Sequence, residues 1–115
     1  MANKLCHFEI GVKDGKRAAE FYSKVFDWQT EEKGGVTMLR TGDDVSGHFN
    51  PHGHGPKNYT IFYIMVDDVA AALKRAEAAG GKTVFGPRAE GPGTFAWFTD
   101  PEGNTIGVYS EPKKS

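Results

Sequence analysis

Phe95 to Tyr109, FAWFTDPEGNTIGVY, reads as two short strands joined by a tight turn. Asp100-Pro101-Glu102-Gly103-Asn104 gathers turn-forming residues: Pro presets φ, Gly tolerates positive φ, and Asp and Asn bond their own backbone. The flanks are aromatic and β-branched, as strands prefer. Alternation places Phe95, Trp97 and Thr99 on one face and Ala96 and Phe98 on the other. Beyond the turn, Ile106 and Val108 share one face, Gly107 and Tyr109 the opposite one.

Upstream, Leu5–Val12 alternates Phe8, Ile10 and Val12 with His7, Glu9 and Gly11, a strand with one apolar face. Asp14 is placed to cap a helix through Phe26, with Ala18, Tyr22, Val25 and Phe26 as its buried stripe. Trp28–Lys33, Val36–Thr41 and Val45–Asn50 read as strands, separated by turns at Gly34-Gly35 and Gly42–Asp44. Pro51–Asn58, PHGHGPKN, reads as a linker. Thr60–Val66 is another strand. Asp67-Asp68 caps a helix with Val69, Leu73 and Ala76 buried, which stops at Gly80-Gly81. Lys82–Phe85 is a strand, and Gly86–Gly93 reads as a loop placed to act as a mobile lid or as an exposed irregular loop.

The order is therefore a tandem βαβββ repeat within one domain, residues 1–115. Module 1 spans about 4–51, a linker 52–58, and module 2 about 59–110. Val12-Lys13-Asp14 aligns with Val66-Asp67-Asp68, and Asp44–Gly47 with Asn104–Gly107. The expected fold class is α+β: paired βαβββ modules forming a curved half-barrel sheet around an internal cleft.

Composition narrows the function. A net charge of −1 gives no drive toward nucleic acid or an anionic membrane. No apolar run approaches the roughly 18–20 residues of a membrane span. Cys6 is the single cysteine, so there is no disulfide framework. With no signal-peptide pattern, the expected location is cytoplasmic.

The opening HFEIGVKD…AAEFYSKVFDW, the middle VDDVAAAL…AEAAGGK and the closing FTDPEGNTIGVY resemble the vicinal oxygen chelate superfamily. That superfamily includes glyoxalase I, bleomycin-resistance proteins and extradiol dioxygenases, and the chain is most similar to its small bacterial glyoxalase-related members. The resemblance implies a homodimer with a ligand cleft. In metal-dependent members, the first and last strands of each module supply His and Glu ligands. Carried onto this chain, those positions are His7, Ile61, Gly47 and Gly107. Only His7 carries a donor, whereas metal sites need about three protein ligands. No metal and no cofactor are therefore expected.

His7 and Glu9 share the face toward the cleft, either as an acid–base pair or as a polar pair bonding a neighbouring strand. Tyr63, Met65, Phe95, Trp97, Thr99 and Tyr109 are expected on the same side as His7. They form either an aromatic wall for a small, partly apolar ligand or plain core packing. His48, His52 and His54 form a His-rich stretch, with His48 expected on the face opposite Gly47. The favoured expectation is a metal-independent small-molecule binding protein. The alternative is a small lyase or isomerase using His7 and Glu9, with or without a divalent metal.

Overall fold

The computed structural model describes residues 2–42, 44–51 and 59–111. It contains β1 (Leu5–Gly11), α1 (Gly15–Phe26), β2 (Gln29–Lys33), β3 (Val36–Arg40), β4 (Ser46–Asn50), β5 (Tyr59–Met65), α2 (Val69–Ala78), β6 (Lys82–Glu90), β7 (Gly93–Thr99) and β8 (Thr105–Ser110). The fold class is α+β, as expected. The linker, with His52 and His54, lies outside the described residues.

Two compact units divide the chain: Cys6–Ile61, and Met1–Leu5 with Phe62–Ser115. They carry the same topology. In the first the strand order is β2-β3-β4-β1, with β1 and β4 parallel and the other pairs antiparallel. In the second it is β6-β7-β8-β5, with β5 and β8 parallel.

Each helix begins at an aspartate. Asp14 Oδ1 accepts from Arg17 N at 3.1 Å, and Asp68 Oδ1 from Ala71 N at 3.1 Å. Each bond satisfies an N–H that the first turn leaves open, worth about 1 kcal/mol. α2 ends as its glycines dictate: Gly80 has φ +106, and Gly81 N donates to Ala76 O at 2.8 Å.

The core of the second unit lies between α2 and its strands. Val69 and Leu73 pack on Val66, Ala96 and Val108, flanked by Ile64, Ala72 and Phe98. In the first unit, Leu39 and Phe49 are fully buried. Tyr22 of α1 lies on Phe49 at 5.6 Å between ring centroids and stacks on Trp28 at 5.2 Å, while Phe8 meets Trp28 at 5.4 Å. The rest of the expected α1 stripe is not buried: Val25 and Phe26 are 54% and 56% exposed. Helical spacing identifies an apolar face, not what covers it.

One further expectation changes. Gly86–Gly93 is not an irregular loop or lid, because β6 runs on to Glu90 and pairs Arg88 with Phe95. The ladder absorbs Gly86 and Pro87 through register shifts, which accommodate a residue that cannot donate. The closing turn is as predicted, with Asp100 as its hub: Oδ1 accepts from Glu102 N and Asn104 N, both at 2.9 Å. Asn104 Nδ2 donates to Oδ2 at 3.0 Å, and this bond leads the causes that lower the Asp100 pKa.

Candidate functional site

The register of β4 against β1 builds the site of the first unit. Phe8 pairs with Gly47 and Ile10 with Phe49, while His7 pairs with Ser46, Glu9 with His48 and Gly11 with Asn50. Gly47 lies under the Phe8 ring, where a Cβ would collide with it. Phe8, Gly47 and Phe49 therefore share one face, and His7, Glu9, Ser46, His48 and Asn50 line the other.

This overturns two expectations. Gly47 does not share a face with His7, and His48 does. Aligning Asp44–Gly47 with Asn104–Gly107 implies an offset of 60. In the structure Tyr63, the equivalent of Glu9, pairs with Gly107, so His48 is the equivalent of Gly107 and the offset is 59. A slip of one residue exchanges the faces of a strand. Matching the apolar residues, Phe49 to Val108, is the sequence signal that yields the correct offset.

The polar face is a chain of contacts. Ser46 Oγ lies 3.1 Å from His7 Nδ1. His7 Nε2 lies 2.6 Å from His48 Nδ1, with the rings at 28°. His48 Nε2 lies 3.3 Å from Glu9 Oε1. Glu9 Oε2 accepts from Asn50 Nδ2 at 3.3 Å and from the Tyr59 hydroxyl. Glu9 is 2% exposed, and a buried carboxylate is tolerable only with such donors around it. Tyr59 reaches it by lying flat on Gly11, where a Cβ would collide with the ring. Burial first, then the neighbouring His48, lowers the His7 pKa from 6.5 to about 4 against the opposing pull of Glu9. His7 is thus neutral near pH 7. Sequence reasoning found His7 and Glu9; it did not find Ser46, Asn50 or Tyr59.

The aromatic residues of the second unit lie on the strand face opposite α2. Phe95 pairs with Tyr109, and both Tyr63 and Trp97 pair with Gly107. The Tyr63 ring occupies the space a Gly107 side chain would need. Trp97 Nε1 donates to Tyr63 Oη at 2.7 Å. Tyr63, Phe95 and Trp97 are each 4% exposed, so Met65 and Tyr109, both half-buried, are the more open members of the set.

A model of the Glyoxalase/Bleomycin resistance protein/Dioxygenase superfamily matches residues 4–108. The chain belongs to this superfamily. A glyoxylase-like domain-containing protein from Didymella fabae is 32% identical, with 92% of each chain covered. The anthracycline biosynthesis protein DnrV from Streptomyces peucetius is 28% identical over 89% of this chain, which spans only 45% of that relative. Among solved structures, a hypothetical protein from Bacillus halodurans superposes with a TM-score of 0.74 at 15% identity, covering 100% of this chain and 99% of that one. Methylmalonyl-CoA epimerase from Mycobacterium tuberculosis superposes with 0.67 at 18% identity, covering 96% and 88%. These structural likenesses establish the fold alone.

The superfamily's divalent metal can be tested against the donors present. With the corrected offset, the first- and last-strand positions hold His7, His48, Ile61 and Gly107. Two of these have no donor atom, and the two imidazoles bond each other. Among the described residues no group of three His, Cys, Asp or Glu side chains could hold a metal ion. This donor set does not fit a resident divalent metal.

Proposed function

We propose that this chain is a metal-independent small-molecule binding protein whose polar recognition element is the His7–His48–Glu9 chain. The observation that carries the reading is the anchoring of Glu9. Among the described residues His48, Asn50 and Tyr59 converge on its carboxylate at the buried end, while half-buried His7 and Ser46 form the end that can meet a ligand. Tyr63, Met65, Phe95, Trp97 and Tyr109 are proposed as the apolar ligand contacts of the second unit, Met65 and Tyr109 being its half-buried members. The name of the Streptomyces relative, a biosynthesis protein for a small organic product, supports a ligand of that size class.

A thermal-shift screen of small organic molecules tests this, repeated on His7→Ala, Glu9→Gln and Trp97→Ala. Hits on the parent protein should weaken in the first two variants; hits that survive all three overturn the site. Stoichiometric metal in untagged protein, lost on His7→Ala, would restore metalloenzyme chemistry and end the reading.

A second reading is a lyase or isomerase using His7 and Glu9, favoured by the unbroken contact chain from Ser46 to the carboxylate. The donor set offers no metal to stabilise an enediolate oxygen, which places this reading second. Solvent deuterium entering a bound carbon acid would support it.

We also propose a homodimer in the cytoplasm. Exposed Phe21, Val25 and Phe26 on α1 give apolar area for a second copy, and sedimentation velocity tests it. Among the described residues no helix is long and apolar enough to cross a membrane.

A further inference from the structure

The directions of the contacts in the first unit are set from one end. Asn50 Nδ2 and the Tyr59 hydroxyl both donate to Glu9, so the carboxylate is the accepting end. His48 Nε2 faces Glu9 Oε1 at 3.3 Å, and this contact is attractive only if the nitrogen carries the proton. With that proton on Nε2, His48 Nδ1 is the bare nitrogen of this tautomer and accepts from His7 Nε2 at 2.6 Å. His7 Nδ1 is bare in turn, so the Ser46 hydroxyl donates to it at 3.1 Å. The result is a hydroxyl, a base and an orienting carboxylate in series, the arrangement that activates a serine nucleophile.

We propose that Ser46 is a nucleophile toward activated carboxylic esters, with His7 as its general base and His48, Glu9 and Tyr59 as positioning residues. The proposal goes beyond ligand binding. Ser46 is half-buried at the start of β4, reachable by a small acyl group. Across β4 its register partner is Arg40, so Arg40, Ser46 and His7 form one lateral row. The Arg40 guanidinium bonds Glu31 at 3.2 Å in an exposed contact and, being in register with Ser46, is the cation offered to a developing oxyanion.

In the acylation step Ser46 Oγ bonds to the carbonyl carbon as its proton passes to His7 Nδ1. His7 hands its Nε2 proton to His48 Nδ1, so the positive charge comes to lie beside the Glu9 carboxylate. The C–O bond to the leaving alcohol then breaks, the pair of electrons leaves with the oxygen, and the proton returns through His7 to that oxygen. Water repeats the sequence on the acyl-serine, releasing the acid and restoring Ser46.

The test uses p-nitrophenyl acetate on the full chain, with intact-mass spectrometry, fragmentation and a stopped-flow record of nitrophenolate. We expect one acetyl group per chain, mapped to Ser46, with a burst that is absent in Ser46→Ala. His7→Gln should slow acylation by about 10²-fold. Tyr59→Phe, which keeps the ring on Gly11, should slow it less and shift the histidine resonances in an NMR spectrum, because the Glu9 carboxylate loses one of its donors. No adduct, an adduct elsewhere, or an unchanged rate in His7→Gln overturns the proposal. Mapping the adduct on the parent protein needs no variant to fold. A ligand screen without hits would overturn the binding reading and leave this one standing, because the probe brings its own acyl group.

Discussion

The two units place opposite chemistry on the same backbone. Glu9 and Tyr63 are equivalent, as are His48 and Gly107 and also His7 and Ile61. In the first unit the position is a buried carboxylate held by His48, Asn50 and Tyr59. In the second it is a phenol ring laid over a glycine, its hydroxyl bonded by Trp97. Both solutions leave no orphan: among the described residues no buried side-chain N or O lacks a hydrogen-bond partner. The difference teaches that a buried strand position tolerates charge where the neighbouring strands bring donors, and takes an aromatic ring where they bring glycine.

The largest effect should come from removing the charge and stranding its partners. Glu9→Ala is expected to cost about 3–5 kcal/mol, because Asn50, Tyr59 and His48 each lose a buried acceptor at about 1–3 kcal/mol apiece. Its counterpart Tyr63→Phe should cost only about 1 kcal/mol, the worth of one hydrogen bond. Equal losses in urea unfolding would break the contrast between the units.

Next come the glycines under the rings. Gly11→Ala and Gly107→Ala should each cost about 1–3 kcal/mol, because the Tyr59 and Tyr63 rings must shift. Gly11→Ala should also displace the Tyr59 hydroxyl from Glu9, which a histidine NMR spectrum would register. If Gly107→Ala disturbs that spectrum equally, the two seats do not act separately.

The third effect is pH-dependent and should belong to the first unit alone. His7 titrates near 6.5 when unfolded and about 4 when folded. Between these values the unfolded chain binds more protons, so stability is complete above pH 6.5 and falls as the pH drops toward 4. The loss should be on the order of 1–3 kcal/mol. Calorimetry at pH 7 and pH 4.5 should show a smaller difference in His7→Asn than in the parent protein. An equal difference would mean that other groups carry the acid sensitivity.

Much of this architecture is legible in local signals. Asp14 and Asp68 cap their helices, Gly80 ends the second, and Asp100–Asn104 forms the turn, because each motif satisfies its own backbone within a few residues. The repeat follows from these signals in order. His7 and Glu9 are legible as a pair because alternation places them on one face of β1. Ser46, His48, Asn50 and Tyr59 join them only through partners 39 to 50 residues distant in sequence, which no local pattern reports. The extent of β6 was hidden because Gly86 and Pro87 are loop residues by propensity, and the ladder with β7 overrides that through two shifts of register.

The amino-acid order alone settles the two βαβββ modules, their caps and turns, and the poverty of donors at Ile61 and Gly107. Only the tertiary structure decides which face of β4 meets β1. A strand presents its side chains with a period of two, so one residue of register chooses between them. Phe49, fully buried in the helix-side core, makes that choice and turns His48 toward His7 and Glu9. The candidate site therefore depends on a packing decision made on the opposite face of the sheet.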